Sequence, residues 1–170
     1  MPDPLLQTIF DRLSRDLARD TLIQATTDEL RKSMNADRLV LYYFYYKWSG
    51  RVTFESLSDR KFSILGASGP DGCFNGEYAK LYEHGRVRAI PDIEIEPIQP
   101  CHRDLLRELE VKANLVVPIL TDRGLWGLLV AHHCQSIYNW HPSEIASMLA
   151  AANHLATFPS VRDSSVSGIG

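Results

Sequence analysis

The amino-acid sequence predicts an α+β domain built on an antiparallel sheet. Three observations point there. Residues 4–34 carry apolar side chains at helical spacing, residues 39–58 and 113–134 each read as two strands joined by a turn, and residues 142–157 read as a closing helix. Helices at both ends with hairpins between them suit a sheet covered by helices on one face, not a βαβ alternation. The length of 170 residues suits a single domain with a single core.

Each element has its own signal. In residues 4–19, Leu5, Ile9, Leu13 and Leu17 recur every four positions, and Leu6 and Phe10 widen the stripe. In residues 21–34, Leu22, Ala25, Leu30 and Met34 share a face, and "NADR" ends the helix. "LVLYYFYYKW" (39–48) is β-branched and aromatic, hence a strand; "SG" turns the chain, and "RVTFESLS" (51–58) returns it. Residues 60–73 form a loop rich in Gly, Ser and Asp. Residues 75–85 form a short helix closed by Gly85. "RVRAIPDI" is extended, because Pro91 biases Ile90 away from helix.

Residues 101–111 read as a helix with Pro100 just ahead. Cys101, Leu105 and Leu109 fall at i, i+4 and i+8, which places the thiol on the apolar face. "ANLVVPILT" (113–121), "DRG" and "LWGLLVAHHC" (125–134) make the second hairpin, and the last helix begins at Pro142. From Pro159 the composition reads as linker, giving a domain over 1–158 and a tail over 159–170. The long excursion between the hairpins is the place for function.

Composition removes several classes. A net charge of −3 without long basic runs argues against nucleic acid. The longest apolar runs are too short for a bilayer, so no membrane insertion by this segment is expected. The N-terminus interleaves charge with its apolar residues and is no signal peptide, so the expected setting is cytoplasmic. Three cysteines do not suit a secreted disulfide framework, and in a reducing cytosol a structural disulfide is not expected. CxxC, HExxH, GxGxxG, the Walker motif and GxSxG are all missing. No metal site is expected, since no spacing favours zinc among Cys73, Cys101 and the histidines.

The cysteines carry the remaining signal. Cys101 opens a helix, where the dipole favours thiolate, and His102 beside it is a candidate proton relay; the competing reading is a buried, inert thiol. Cys73 lies in "PDGCF", a turn-forming stretch that puts an exposed thiol on a loop, against which stands an incidental surface cysteine. Cys134 ends a strand and reads as structural. In "VAHHC" the strand period sends His132 and His133 to opposite faces.

Taken together, "ADRLVLYYFYYKWSGRVTFES", "DGCF", "CHRDLLRELEVKANLVVPIL" and "LWGLLVAHHC" resemble the bilin-binding GAF domains of cyanobacteriochromes, relatives of the phytochromes. The resemblance runs from about Leu5 to about Ala156. Asp-x-Cys-Phe upstream of the Cys-His pair is similar to the motif of the dual-cysteine subgroup. The resemblance implies a GAF fold, with terminal helices on one face of the sheet and a bilin pocket on the other. It implies a linear tetrapyrrole, phycocyanobilin or phycoviolobilin, anchored through a thioether from Cys101 to the A-ring. Cys73 would add reversibly at C10, splitting the conjugated system and moving absorption to the blue. The expected cycle runs from a blue-absorbing 15Z dark state with the adduct to a green- to orange-absorbing 15E state.

The same resemblance implies roles for further residues. Asp71 would meet pyrrole nitrogens, Phe74 would pack inward, and His102 would lie against the rings. His132 would sit near the D-ring, and Arg86 would take a propionate. Tyr78 and Tyr82, on one helical face, would line the pocket. The implied protein is a photoreceptor module, not an enzyme, joined to an output module and self-associating through its terminal helices. Two other classes compete: a GAF sensor of a cyclic nucleotide, which explains neither cysteine, and a thiol-dependent reductase, for which no acid to orient His102 is identifiable.

Overall fold

The computed structural model describes residues 4–46, 49–68 and 76–164, the side chains of residues 46 and 76–79 excepted. The chain opens with α1 (Pro4–Arg19) and α2 (Thr21–Ser33). Asp20 separates them, and its carboxylate accepts hydrogen bonds from the backbone N–H of Leu22 and Ile23, satisfying two orphan donors of α2. Strands β1 (Arg38–Tyr46) and β2 (Ser49–Leu57) follow, then α3 (Gly76–Glu83), β3 (Arg88–Ile90) and α4 (Pro100–Glu108). The chain continues through β4 (Ala113–Thr121), β5 (Gly124–His133), α5 (Pro142–Leu155) and α6 (Pro159–Arg162). A single turn of 3-10 helix at Arg60–Phe62 interrupts the loop after β2.

The five strands pair in the order β2-β1-β5-β4-β3, all antiparallel. Alternation along the strands divides the interior in two. Leu39, Leu41 and Tyr43 of β1, Leu115, Val117 and Ile119 of β4, and Leu129 and Ala131 of β5 meet Leu17, Ile23, Met148, Ala152 and Leu155 of the helices. Val40, Val52, Val116, Leu128 and Val130 point the other way, toward Tyr82 of α3. A third cluster of Ile90, Ile93, Leu106 and Val111 seats α4 beside β3. The expected arrangement, helices on one face and a pocket on the other, is what the chain forms.

Three details differ from expectation. Helix α4 stops at Glu108, not at residue 111, because Glu110 takes the left-handed conformation (φ 61°) and Val111 N–H closes onto Leu106 O at 2.9 Å. Residues 159–164 do not leave the domain as a linker. They form α6, Val161 is fully buried, the Trp126 indole N–H donates to Ser164 Oγ at 2.9 Å, and Tyr43 OH donates to Ser164 O at 3.2 Å. The register of β5 against β4 slips between Ile119 and Leu120, a bulge that lets Trp126 and Leu129 share the helix face.

Candidate functional site

The pocket face of the sheet is covered only in part. Val40 and Tyr42 of β1, Val116 of β4, and Leu128 and Val130 of β5 form the floor of a cleft. Leu105, Leu106 and Leu109 of α4 form one wall, and Tyr82, Ile64 and Ala67 the other. The lining is mostly apolar with a few polar groups, the usual make-up of an organic-ligand site.

His102, 8% exposed, stands where this cleft meets a second opening lined by Arg86, Arg88, Ile98 and Gln99. Burial first, then the guanidinium groups of Arg88 and Arg86, hold the imidazole down to about 4. It is therefore neutral at physiological pH. Arg88 reaches Glu96 at 3.5 Å, while its buried Nε has no hydrogen-bond partner. The Arg86 guanidinium lies 5.7 Å from the centroid of the Tyr82 ring. Arg103 supports this mouth from beneath, donating from Nε to Ile93 O at 3.0 Å and bonding Glu96 O through a second nitrogen.

His132 is another of these polar groups. It is 3% exposed and lines the cleft, and its Nδ1 accepts a hydrogen bond from Arg38 Nε at 2.9 Å. Burial, with Arg38 next, holds its ring well below the usual histidine range. His133 goes to the other face as strand alternation requires. There it is buried too, stacked on Tyr138 with centroids 3.9 Å apart, with its Nε2 unpartnered. Cys134 is a free, buried thiol pushed up to about 11 by burial, as befits a structural residue.

Cys101 stands differently from the sequence expectation. It is exposed at the first turn of α4, and the buried face of the helix is carried by His102 and Leu106. With Pro100 as the first helical residue, a one-position phase difference turns Cys101 outward while Leu105 and Leu109 still line the cleft. Its sulfur is held in a disulfide, where a free thiol was expected. Asp71, Cys73 and Phe74 lie outside the described residues, as does the side chain of Tyr78. Of the other expected residues, the fold brings Tyr82, His102 and His132 to one cleft and Arg86 to its mouth.

Four residues near the cleft were not anticipated: Tyr42, Arg38, Arg88 and Asn114. Asn114 had a signal, being the polar residue in the apolar run "ANLVVPIL", in phase with Val116. Tyr42 had one too, in phase with Val40. Arg38 had none, because its partners lie far along the chain, and Arg88 had none either.

The family described as GAF domain matches residues 18–157. An uncharacterized protein of Picosynechococcus sp. is 46% identical over 156 residues, covering 92% of this chain and 96% of that protein. A putative methyl-accepting chemotaxis protein of Synechocystis sp. is 36% identical over 141 residues, 83% of this chain but 14% of that protein. Among solved structures, the cyanobacteriochrome receptor PixJ, described in dark and steady-state-illuminated forms, superposes with a TM-score of 0.71 at 31% identity, covering 82% of this chain and 95% of its own. A phycocyanobilin-bound GAF domain from a cyanobacterial phytochrome superposes with a TM-score of 0.71 at 28% identity, covering 88% and 91%. The apolar cleft between sheet and α4, the antiparallel sheet with helices on its far face, and these matches agree: the chain belongs to the GAF domain family, with cyanobacteriochrome GAF domains among its structural neighbours.

Proposed function

We propose that this domain is a bilin photoreceptor module that holds a linear tetrapyrrole covalently through Cys101. The observation that carries the reading is the cleft itself. It is apolar, with neutral His102 at its wall and two arginines at its mouth, and Cys101 is exposed at the first turn of α4, next to His102. Apolar walls suit pyrrole rings, and guanidinium forks suit propionate carboxylates. Arg88, with a buried unpartnered Nε, joins Arg86 in that task. The bilin, when bound, supplies visible absorption and photoisomerisation about C15=C16. The protein's residues anchor it, exclude water and read which isomer is present.

The finer reading keeps the dual-cysteine cycle. Cys73 adds reversibly at C10 beside Asp71 and Phe74, the pigment is phycocyanobilin or phycoviolobilin, and the colour pair is blue to green or orange. The module binds and signals without turning substrate over. Its output passes through the terminal helices to a partner copy or a further domain, a reading supported by the larger sensor protein from Synechocystis sp. that this chain matches over a fraction of its length.

The test is coexpression with a bilin-synthesis pathway. The expected product is coloured, fluoresces with zinc on a denaturing gel, and changes its spectrum after blue illumination. Cys101→Ala should abolish the fluorescent band, and Cys73→Ala should keep it while removing the blue-absorbing form. Because Cys101 is disulfide-bonded, loading of purified pigment-free protein should also require a reductant. Colourless wild-type protein, or a Cys101→Ala variant that still carries pigment through denaturation, overturns the reading.

A further inference from the structure

Arg38, His132 and Asn114 form a polar row across the centre of the sheet. Arg38 pairs in register with His132 between β1 and β5, and His132 with Asn114 between β5 and β4. All three are buried, at 2%, 3% and 1% exposure. Arg38 is held at two points, Nη1 donating to Phe62 O at 2.6 Å and Nη2 donating to Leu109 O at 2.6 Å. That leaves Nε, which donates to His132 Nδ1 at 2.9 Å.

A guanidinium has only N–H donors and stays protonated in a protein. Nδ1 must therefore offer its lone pair, and the single proton of the neutral ring must sit on Nε2. His132 lines the cleft, so the ring presents an N–H donor there. On the neighbouring strand Asn114 lines the same cleft, and its buried Oδ1 has no hydrogen-bond partner. A buried acceptor left unpaired costs about 1–3 kcal/mol, so its presence points to a donor supplied by a ligand. Neighbouring strands lie about 4.8 Å apart, which sets a donor beside an acceptor at the span of two adjacent ligand atoms and their hydrogen bonds.

We propose that Arg38 is a positioning residue that fixes His132 in the tautomer with its proton on Nε2, and that this N–H and the Asn114 carbonyl together receive a lactam edge. A lactam carries C=O and N–H side by side, the complement of this pair. The identification with a terminal lactam ring of a linear tetrapyrrole rests on the function proposed above; the tautomer does not.

The decisive measurement is the nitrogen-15 imidazole spectrum of pigment-free protein at neutral pH. Expected is a His132 with bare Nδ1 and protonated Nε2. Arg38→Lys keeps a donor and should retain that tautomer, whereas Arg38→Met should give a mixture. A proton on Nδ1 in the wild type, or an unchanged tautomer in Arg38→Met, overturns the role of Arg38; should the Met variant fail to fold, the wild-type and Lys spectra decide. Asn114→Leu should leave the tautomer and the denaturation midpoint intact or raise the latter, yet lower pigment yield several-fold on coexpression. A wild-type yield in that variant overturns the role of Asn114. A colourless wild type, with the Nε2–H tautomer still seen, overturns the ligand and leaves Arg38's role standing, so the two failures are distinct.

Discussion

Single residues set the acid behaviour of this site. The imidazole of His102 is held down to about 4 by burial and by Arg88 and Arg86, against 6.5 in the unfolded chain. Because the folded value is the lower one, the unfolded chain takes the proton first as pH falls. The stabilisation is complete above about pH 6.5 and is lost as pH falls from there through about 4, by an amount on the order of 3 kcal/mol. Burial of His132 acts in the same direction. The urea midpoint of pigment-free protein should be flat between pH 7 and 8 and fall toward pH 5. His102→Gln should make that fall shallower; an identical fall in wild type and variant would show that His102 titrates normally. At this scale the sequence named His102 by its place beside Cys101 at a helix start, and His132 by the family resemblance of its strand. It gave no hint of Arg38, whose partners Phe62, Leu109 and His132 lie 24, 71 and 94 residues away.

At the scale of elements, the strands and helices follow from local pattern. Period-two alternation in β1, β4 and β5 sorts their side chains between helix face and cleft, and the four-residue stripe of α1 finds its core at Leu13 and Leu17. Capping agrees: His141 and Glu144 close a capping box at the start of α5, where Pro142 marks the entry. The bulge in β5 is the element-level feature that only pairing reveals. Gly127 sits there with an added Cβ meeting Tyr42 O at 2.0 Å, a backbone atom of the neighbouring central strand that cannot move aside. Gly127→Ala should cost about 3 kcal/mol or more and yield little soluble protein. Gly124→Ala, where nothing lies within 4 Å, should cost only the strain of its positive φ and remain soluble. Comparable thermal melts for the two variants would show that β5 does not approach β1 this closely.

Across the described residues, the N-terminal helices and α6 gather on one side of the molecule. Val161 is fully buried, Ser160 Oγ donates to Asp20 Oδ2 at 2.6 Å, and Ser164 takes hydrogen bonds from both Trp126 and Tyr43. The last turn after α5 is thus part of the fold, and it couples the N-terminal helices to residues 160–164. Ending the chain at Phe158 should remove the burial of Val161 and these hydrogen bonds, about 3 kcal/mol in all, and lower Tm by roughly 5–10 °C. A truncated protein melting with the full chain would show residues 159–164 to be the linker that their composition suggests. No helix among the described residues is long and apolar enough to cross a membrane.

The sequence by itself determined the fold class, the order of nearly every element and that the two strand histidines face opposite ways. These depend on periodicity and turn chemistry, which act between residues a few positions apart. The tertiary structure decided that Cys101 is exposed with its sulfur in a disulfide, that α6 belongs to the domain, and that Arg38, His132 and Asn114 form one polar row. Each of those depends on which distant segments are brought together, and on the phase at which a helix docks, so the free energy that selects them is a property of contacts that no local window contains.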